Sequence, residues 1–398
     1  MSALVSAPSA YYPVDSFSPA PTSWNSPPHS TQVVTSKMLR YQHCRAKLFS
    51  ATRSLTPRSL NAWTAAAARK TAVLFPGQGA QHVGMGADIY EAYEAARDVI
   101  DEADEAVGGR LKKLMFEGPQ QVLTSTENAQ PAILCHSIAL LKVLEKEYDF
   151  DIKSCTYALG HSLGEYSALV ATKSLTLPEA LKLVKLRGEL MNKSIDNSGT
   201  TMKALIISGD HLEDIENVMS KIQRSLPEGE VAEIANINSR SQVVISGTVQ
   251  GVEYACSIIQ TRGYAGRALS LPVSAPFHCS LMGSAANDMK PALESAQFAE
   301  PSTEVISNVT GKPFNRASEI PSLLYKQITK TVQWQRSTRF ASDDDVHDWV
   351  VIGPSRVLAN LLRKEYPTDV ITAISTVDDI LQHGDQLSSC SRKRATKL

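Results

Sequence analysis

The chain has no apolar run of about 18 residues, so no segment reads as a membrane span. Its longest apolar stretch, "PAILCHSIALL" from Pro131, has the length of a buried helix. It has no cysteines at C-x-x-C spacing. The six cysteines stand singly at Cys44, Cys135, Cys155, Cys256, Cys279 and Cys390. That speaks against a disulfide framework and a zinc site, fits a reducing interior, and leaves no metal expected. It also lacks a dominant charge: 40 Lys and Arg against 41 Asp and Glu give a net charge of −1. No global basic field is available to hold nucleic acid. Acidic residues are nearly missing before Thr71, where Asp15 is the single one.

What is present begins with that same stretch. From Met38 it reads "MLRYQHCRAKLFSATRSLTPRSLNAW", Arg and Ser among apolar residues with no acid. That is the composition of a mitochondrial presequence, the other reading being an ordinary basic tail. Residues 1–37 are Ser/Pro-rich and gain a basic residue only at Lys37, unlike the start of a presequence. The expectation is a disordered targeting region over 1–70, a true start at Met38, and residence in the mitochondrial matrix. The basic, polar end, "SRKRATKL", reads as frayed, within an expected tail at 381–398.

Order is expected from "TAVLFPGQGAQ", a short apolar run stopped by Pro76 and Gly77, as for a buried strand feeding a loop. "ADIYEAYEAARDVIDEADEAV" reads as an amphipathic helix, and "QPAILCHSIALLKVLEKEY" as another. "CTYALG" is a second short strand, followed by the helical patterns "EYSALVAT" and "PEALKLVKLRGELMN". The middle changes period. "KALIIS", "VAEIANI", "QVVISG" and "AGRALSL" read as strands, with helices after the first and third, the β-α-β-β-α-β order of a ferredoxin-like unit. The fold class is therefore α/β: a large subdomain with a mostly parallel sheet over 71–198 and 272–380, and an inserted small subdomain over 199–271.

"GHSLGEYSAL" at 160–169 carries the chemistry. A G-x-S-x-G between a strand and a helix is a nucleophile elbow, a sharp turn that lifts the Ser162 hydroxyl clear of the sheet. It also aims the Leu163 N–H at any oxyanion that forms. A serine hydroxyl needs a base, and nine histidines compete for that place. His161 is its neighbour and should point away; His136 lies on an apolar helix; His82, His211, His347 and His383 have surface contexts. His278, in "LPVSAPFHCSLM", lies in a loop where the insertion rejoins the body, which favours it without excluding the others.

"FPGQGAQ", "GHSLGEYSAL", "KLRGELM", "ANINSRSQVVISG", "LPVSAPFHCSLM" and "IGPSRVL" occur in this order and resemble the malonyl-CoA:acyl carrier protein transacylase family from about residue 71 to 375. The chain is similar to the discrete enzyme of a mitochondrial fatty-acid synthesis system. The resemblance implies that Ser162 attacks a malonyl thioester and His278 serves as its base. It implies that a backbone carbonyl, at Gln327, orients the histidine. The N–H groups of Leu163 and Gln78 would form the oxyanion hole, and Arg187 would hold the malonyl carboxylate. Asn236 and Asn238 would line the site, and Phe277 would crowd a C2 methyl, favouring malonyl over branched units. Malonyl would pass from CoA to the phosphopantetheine thiol of an acyl carrier protein by a ping-pong route, in a monomer without cofactor. Ser355 stands where the family usually has Gly, and "KTVQW" lacks the usual Asn-Pro. The competing readings are a serine hydrolase, thioesterase or lipase, which normally adds an acidic third member, and an inactive carrier-binding module.

Overall fold

The computed structural model describes residues 69–194, 199–273 and 275–395; the presequence-like stretch from Met38 to Trp63 lies outside the described residues. From Lys70 the chain runs β1 (Lys70–Phe75), α1 (Ala87–Ala92), α2 (Glu94–Ala106), α3 (Leu111–Glu117), α4 (Gln120–Thr124), α5 (Thr126–Tyr148) and β2 (Tyr157–Gly160). Next come α6 (Gly164–Ala171), α7 (Leu177–Lys193), β3 (Thr200–Ile207), α8 (Leu212–Ser225), β4 (Ala232–Ser239), β5 (Gln242–Thr248), α9 (Val249–Thr261) and β6 (Ala265–Ser270). α10 (Gly283–Ser295), β7 (Glu304–Ile306), α11 (Ile320–Gln327), α12 (Trp334–Asp343), β8 (Val346–Ile352), α13 (Val357–Glu365), β9 (Val370–Ile374) and α14 (Val377–Ala395) follow.

The large sheet has the order β7-β2-β1-β8-β9, and every pairing in it is parallel. Parallel strands are covered on both faces, which is why β1 reads as an unbroken apolar run rather than an alternation. Ala72, Leu74, Leu159, Trp349 and Val351 pack on one face against Trp334, Ala341, Leu358 and Leu362 from α12 and α13. Val73, Phe75, Ala158 and Val350, on the other face, are buried as well. The register sets Phe75 opposite Gly160 and Leu74 opposite Val351, so β1, β2 and β8 end along one edge. The chain leaves β1 toward β2 and β7 on one side and returns to β8 and β9 on the other. A crevice at the carboxyl ends of such strands is where an open α/β sheet takes its ligand.

The small sheet is antiparallel with the order β4-β5-β3-β6. Strand alternation divides its residues. Leu205, Ile207, Ile237, Val243 and Ile245 pack on α8 and α9. Met202, Ala204, Asn236, Gln242 and Val244 face a cleft shared with the large subdomain. The edge strand β4 is stitched to the body: Val332 N–H donates to Ala235 O at 2.8 Å and Ile237 N–H to Val332 O at 3.0 Å.

Two elements differ from the sequence expectation. The single helix expected after Gly86 is two, because Tyr93 turns extended (φ −127°, ψ 130°) and its side chain is buried. The chain beyond α13 adds β9 to the sheet, and α14 continues to Ala395 where fraying was expected from 381.

Candidate active site

The elbow is built by glycines that no other residue can replace. A Cβ on Gly160 would sit 1.8 Å from Gly164 O, and one on Gly164 would sit 2.3 Å from Phe75 O. Between them Ser162 takes a left-handed backbone, φ 53°. Asn308 holds the turn from outside: its Oδ1 accepts the Ser162 N–H at 2.7 Å and its Nδ2 donates to Gly160 O at 2.6 Å.

The Ser162 hydroxyl lies 2.8 Å from His278 Nε2. His278 is also left-handed, φ 58°. Its Nδ1 lies 2.8 Å from the Gln327 backbone oxygen. A carbonyl only accepts, so Nδ1 carries the proton and Nε2 keeps a lone pair for the serine proton. Burial, then the nearby Arg187 charge, push His278 down to about 3, so it is neutral at ordinary pH. No acidic side chain reaches its ring among the described residues; the main chain fills that place.

Arg187 comes from α7, whose start is fixed by Thr176, with its hydroxyl accepting the Glu179 N–H at 3.4 Å, and by Pro178 in the first turn. Gly188 lets that helix press on the start of α5, since a Cβ there would meet Glu127 Cα at 2.5 Å. Arg187 is 2% exposed. It donates to Gln130 Oε1 at 2.8 Å, Gln327 Oε1 at 3.0 Å and Ser162 Oγ at 3.2 Å. None of these partners is anionic. Burial lowers its pKa, against the raising pull of Tyr166 and Glu165.

Ser162, Leu163, Arg187, His278, Gln78, Phe277, Asn236 and Asn238 all line one cleft of about 380 Å³, and Gln327 lies buried beneath it. Among the described residues, neither the Leu163 nor the Gln78 backbone N–H has a partner within the chain. His161, expected to point away, also lines the cleft, with Nε2 2.9 Å from Asn238 Oδ1 of the small sheet. Ser355, the departure in "IGPSRVL", lies on the cleft wall too.

Sequence reasoning missed Gln130, Glu165 and Asn308. Glu165 stands inside the quoted "GHSLGEYSAL", but its α6 position gave no hint of full burial. Gln130 and Asn308 offered only a polar residue beside an apolar helix and a strand end.

A nucleophile elbow on this sheet, with a ferredoxin-like insertion over its mouth, is an acyltransferase architecture, and the acyl transferase domain family matches residues 73–376. The malonyl CoA-acyl carrier protein transacylase of Bacillus subtilis (strain 168) is 40% identical over 295 residues, 74% of this chain and 90% of the relative. That of Escherichia coli (strain K12) is 35% identical over 304 residues, 76% of this chain and 95% of the relative. The crystal structure of acyl-carrier-protein-S-malonyltransferase from Bartonella henselae superposes with a TM-score of 0.74 at 35% identity, covering 80% of this chain and 99% of that one. A malonyl-transacylase solved with its holo type II PKS acyl-carrier protein matches with a TM-score of 0.73 at 34% identity, covering 80% and 99%. The chain belongs to the malonyl-CoA:acyl carrier protein transacylase family.

Proposed function

We infer that this protein transfers the malonyl group from malonyl-CoA to the phosphopantetheine thiol of an acyl carrier protein, supplying fatty-acid synthesis. The observation that carries the reading is Arg187: a buried guanidinium on the Ser162 hydroxyl, held by neutral oxygens, with no carboxylate of its own among its hydrogen-bond partners. A planar fork kept in this state accepts the free carboxylate of a malonyl group. A hydrolase acting on neutral esters has no use for it.

The route is ping-pong. Ser162 Oγ attacks the thioester carbonyl while His278 Nε2 takes its proton. The Leu163 and Gln78 N–H groups hold the oxyanion. The C–S bond breaks, His278 returns the proton to the CoA sulfur, and a malonyl ester stays on Ser162. The carrier thiol then attacks that ester, and the same histidine moves the proton back to Ser162. Asn236, Asn238 and Phe277 shape the acyl pocket. Phe277, next to the base, disfavours a C2 methyl by about 1–3 kcal/mol. The solved carrier complex of a relative supports an acyl carrier protein as acceptor.

We read the chain as a monomer of the mitochondrial type, brought to the matrix by the basic stretch before Thr71. N-terminal sequencing of the mature protein tests this, and a first residue between 1 and 37 refutes it. Among the described residues no helix is long and apolar enough to cross a membrane. For the chemistry, intact mass spectrometry after mixing with malonyl-CoA decides. An adduct on Ser162 that holo carrier protein removes is the expected result; release of free malonate without a carrier makes the protein a hydrolase.

A further inference from the structure

Glu165 lies in the first turn of α6, and no solvent reaches it. Its Oε2 accepts the Gln327 Nε2 amide at 2.6 Å and the Asn308 backbone N–H at 3.3 Å. The same amide donates to Ser162 O at 2.9 Å, and its Oε1 accepts from Arg187 at 3.0 Å. Gln327 thus bridges a carboxylate and a guanidinium. Turned over, it would aim its NH2 at Arg187 and its carbonyl at Glu165, setting like partial charges together at both ends. The residue whose backbone oxygen meets His278 therefore has its side chain locked by Glu165.

The titratable groups around Glu165 are Tyr166 on its own helix, Arg187 from α7, and His278 with His161 beyond. Burial pushes Tyr166 up to about 12 and His278 down to about 3, and lowers His161 too. All three are neutral near pH 7, which leaves two charges, Arg187 and Glu165. A malonyl carboxylate adds a second negative charge opposite one guanidinium, and an uncompensated buried charge is costly. Glu165 is the group able to give way: its buried Oε1 has no hydrogen-bond partner among the described residues and can carry a proton while Oε2 keeps the Gln327 amide, and burial raises the carboxyl to about 7.

On the reading of Arg187 as the malonyl clamp, we propose that Glu165 is a positioning residue of that clamp: it fixes the Gln327 amide with Oε1 toward Arg187, and it passes from ionised to protonated, a net uptake of one proton by the protein, when the malonyl carboxylate arrives. Malonyl loading is then linked to proton uptake, and acetyl loading is not.

The test is the acylation half-reaction of the full chain with malonyl-CoA and acetyl-CoA, from about pH 6 to about pH 9, read as the ratio of the two KM values. For the wild type this ratio rises with pH, approaching about tenfold per pH unit above the Glu165 value. Glu165→Gln offers a carbonyl oxygen at the Oε2 position without the charge, so its ratio stays flat. Equal slopes in the two proteins overturn the proposal. Glu165→Leu removes the acceptor and should lower malonyl loading relative to acetyl loading; if it does not fold, the Gln variant still decides. Arg187→Ala separates the two layers. A malonyl preference lost in Arg187→Ala, with equal slopes, removes only the role of Glu165. A preference that survives Arg187→Ala removes the clamp, and this proposal with it.

Discussion

Two side-chain-bearing residues at the site, Ser162 and His278, hold left-handed backbone. Such a conformation costs about 1–3 kcal/mol for a non-glycine residue and persists only where its surroundings over-determine it. For Ser162 those surroundings are the Asn308 clamp and the flanking glycines. A β-branched residue suffers more there. Ser162→Thr is therefore expected to be less stable than Ser162→Cys by about 1–2 kcal/mol in denaturant titrations, although it alone keeps a hydroxyl. Arg187→Ala should lose about 100-fold or more in kcat/KM for malonyl-CoA, and Arg187→Lys should recover little, since an ammonium cannot make the paired contact. Of these residues, Ser162 was legible locally, because the elbow is a local motif. His278 was favoured by its loop but not singled out among the histidines without the family resemblance. Its partner could not be read from residue types at all, because a main-chain oxygen leaves no mark in the sequence. Glu165, Gln130 and Asn308 stayed hidden because burial and distance, rather than spacing, give them their places.

At the scale of elements, helix α7 carries Arg187 only as close to α5 as Gly188 allows. Gly188→Ala should drive the two helices apart and shift Arg187. The expected result is a raised KM for malonyl-CoA with acetyl loading much less affected, alongside about 1–3 kcal/mol of lost stability from overpacking. A variant with unchanged malonyl KM would show that the clamp tolerates the displacement. The parallel sheet and the antiparallel insertion were legible from the order of elements: strands alternate with helices on either side of a β-α-β-β-α-β unit, in which two strands follow one another with only the short turn "NSRS" between them. The last helix was not. α14 contains Gly384, which weakens a helix by propensity. In the structure that glycine is needed: a Cβ there would meet the Tyr148 ring at 2.4 Å. Tertiary packing overrides the local preference in a way one sequence does not display.

Across the whole molecule, buried titratable groups set the pH dependence of folding. His136 and His278 are both pushed down to about 3, chiefly by burial. With folded values below the ordinary histidine value, their stabilisation is present above 6.5 and is lost as pH falls from there toward 3. Glu165 has the opposite sign: raised from 4.5 to about 7, its share is present below 4.5 and is lost as pH rises through 7. Urea unfolding across pH should show an acid-side decline, and Glu165→Gln should flatten the neutral-to-alkaline side; a variant curve parallel to the wild type refutes the assignment. The cleft itself depends on how the two sheets are joined. Arg336 with Glu216 and Arg240 with Glu365 tie them by ion pairs at 2.9 and 3.0 Å. Pairs this open to water contribute about 0–1 kcal/mol each, so the β4–Val332 backbone stitch is the firmer link. The partner of the His278 ring belongs to the same kind of permanence. Mutation rewrites side chains and leaves the peptide oxygen of residue 327 in place, so the hydrogen-bond acceptor behind this histidine outlasts an exchange of that side chain wherever the backbone keeps its path. To remove it, the end of α11 must bend away from the ring.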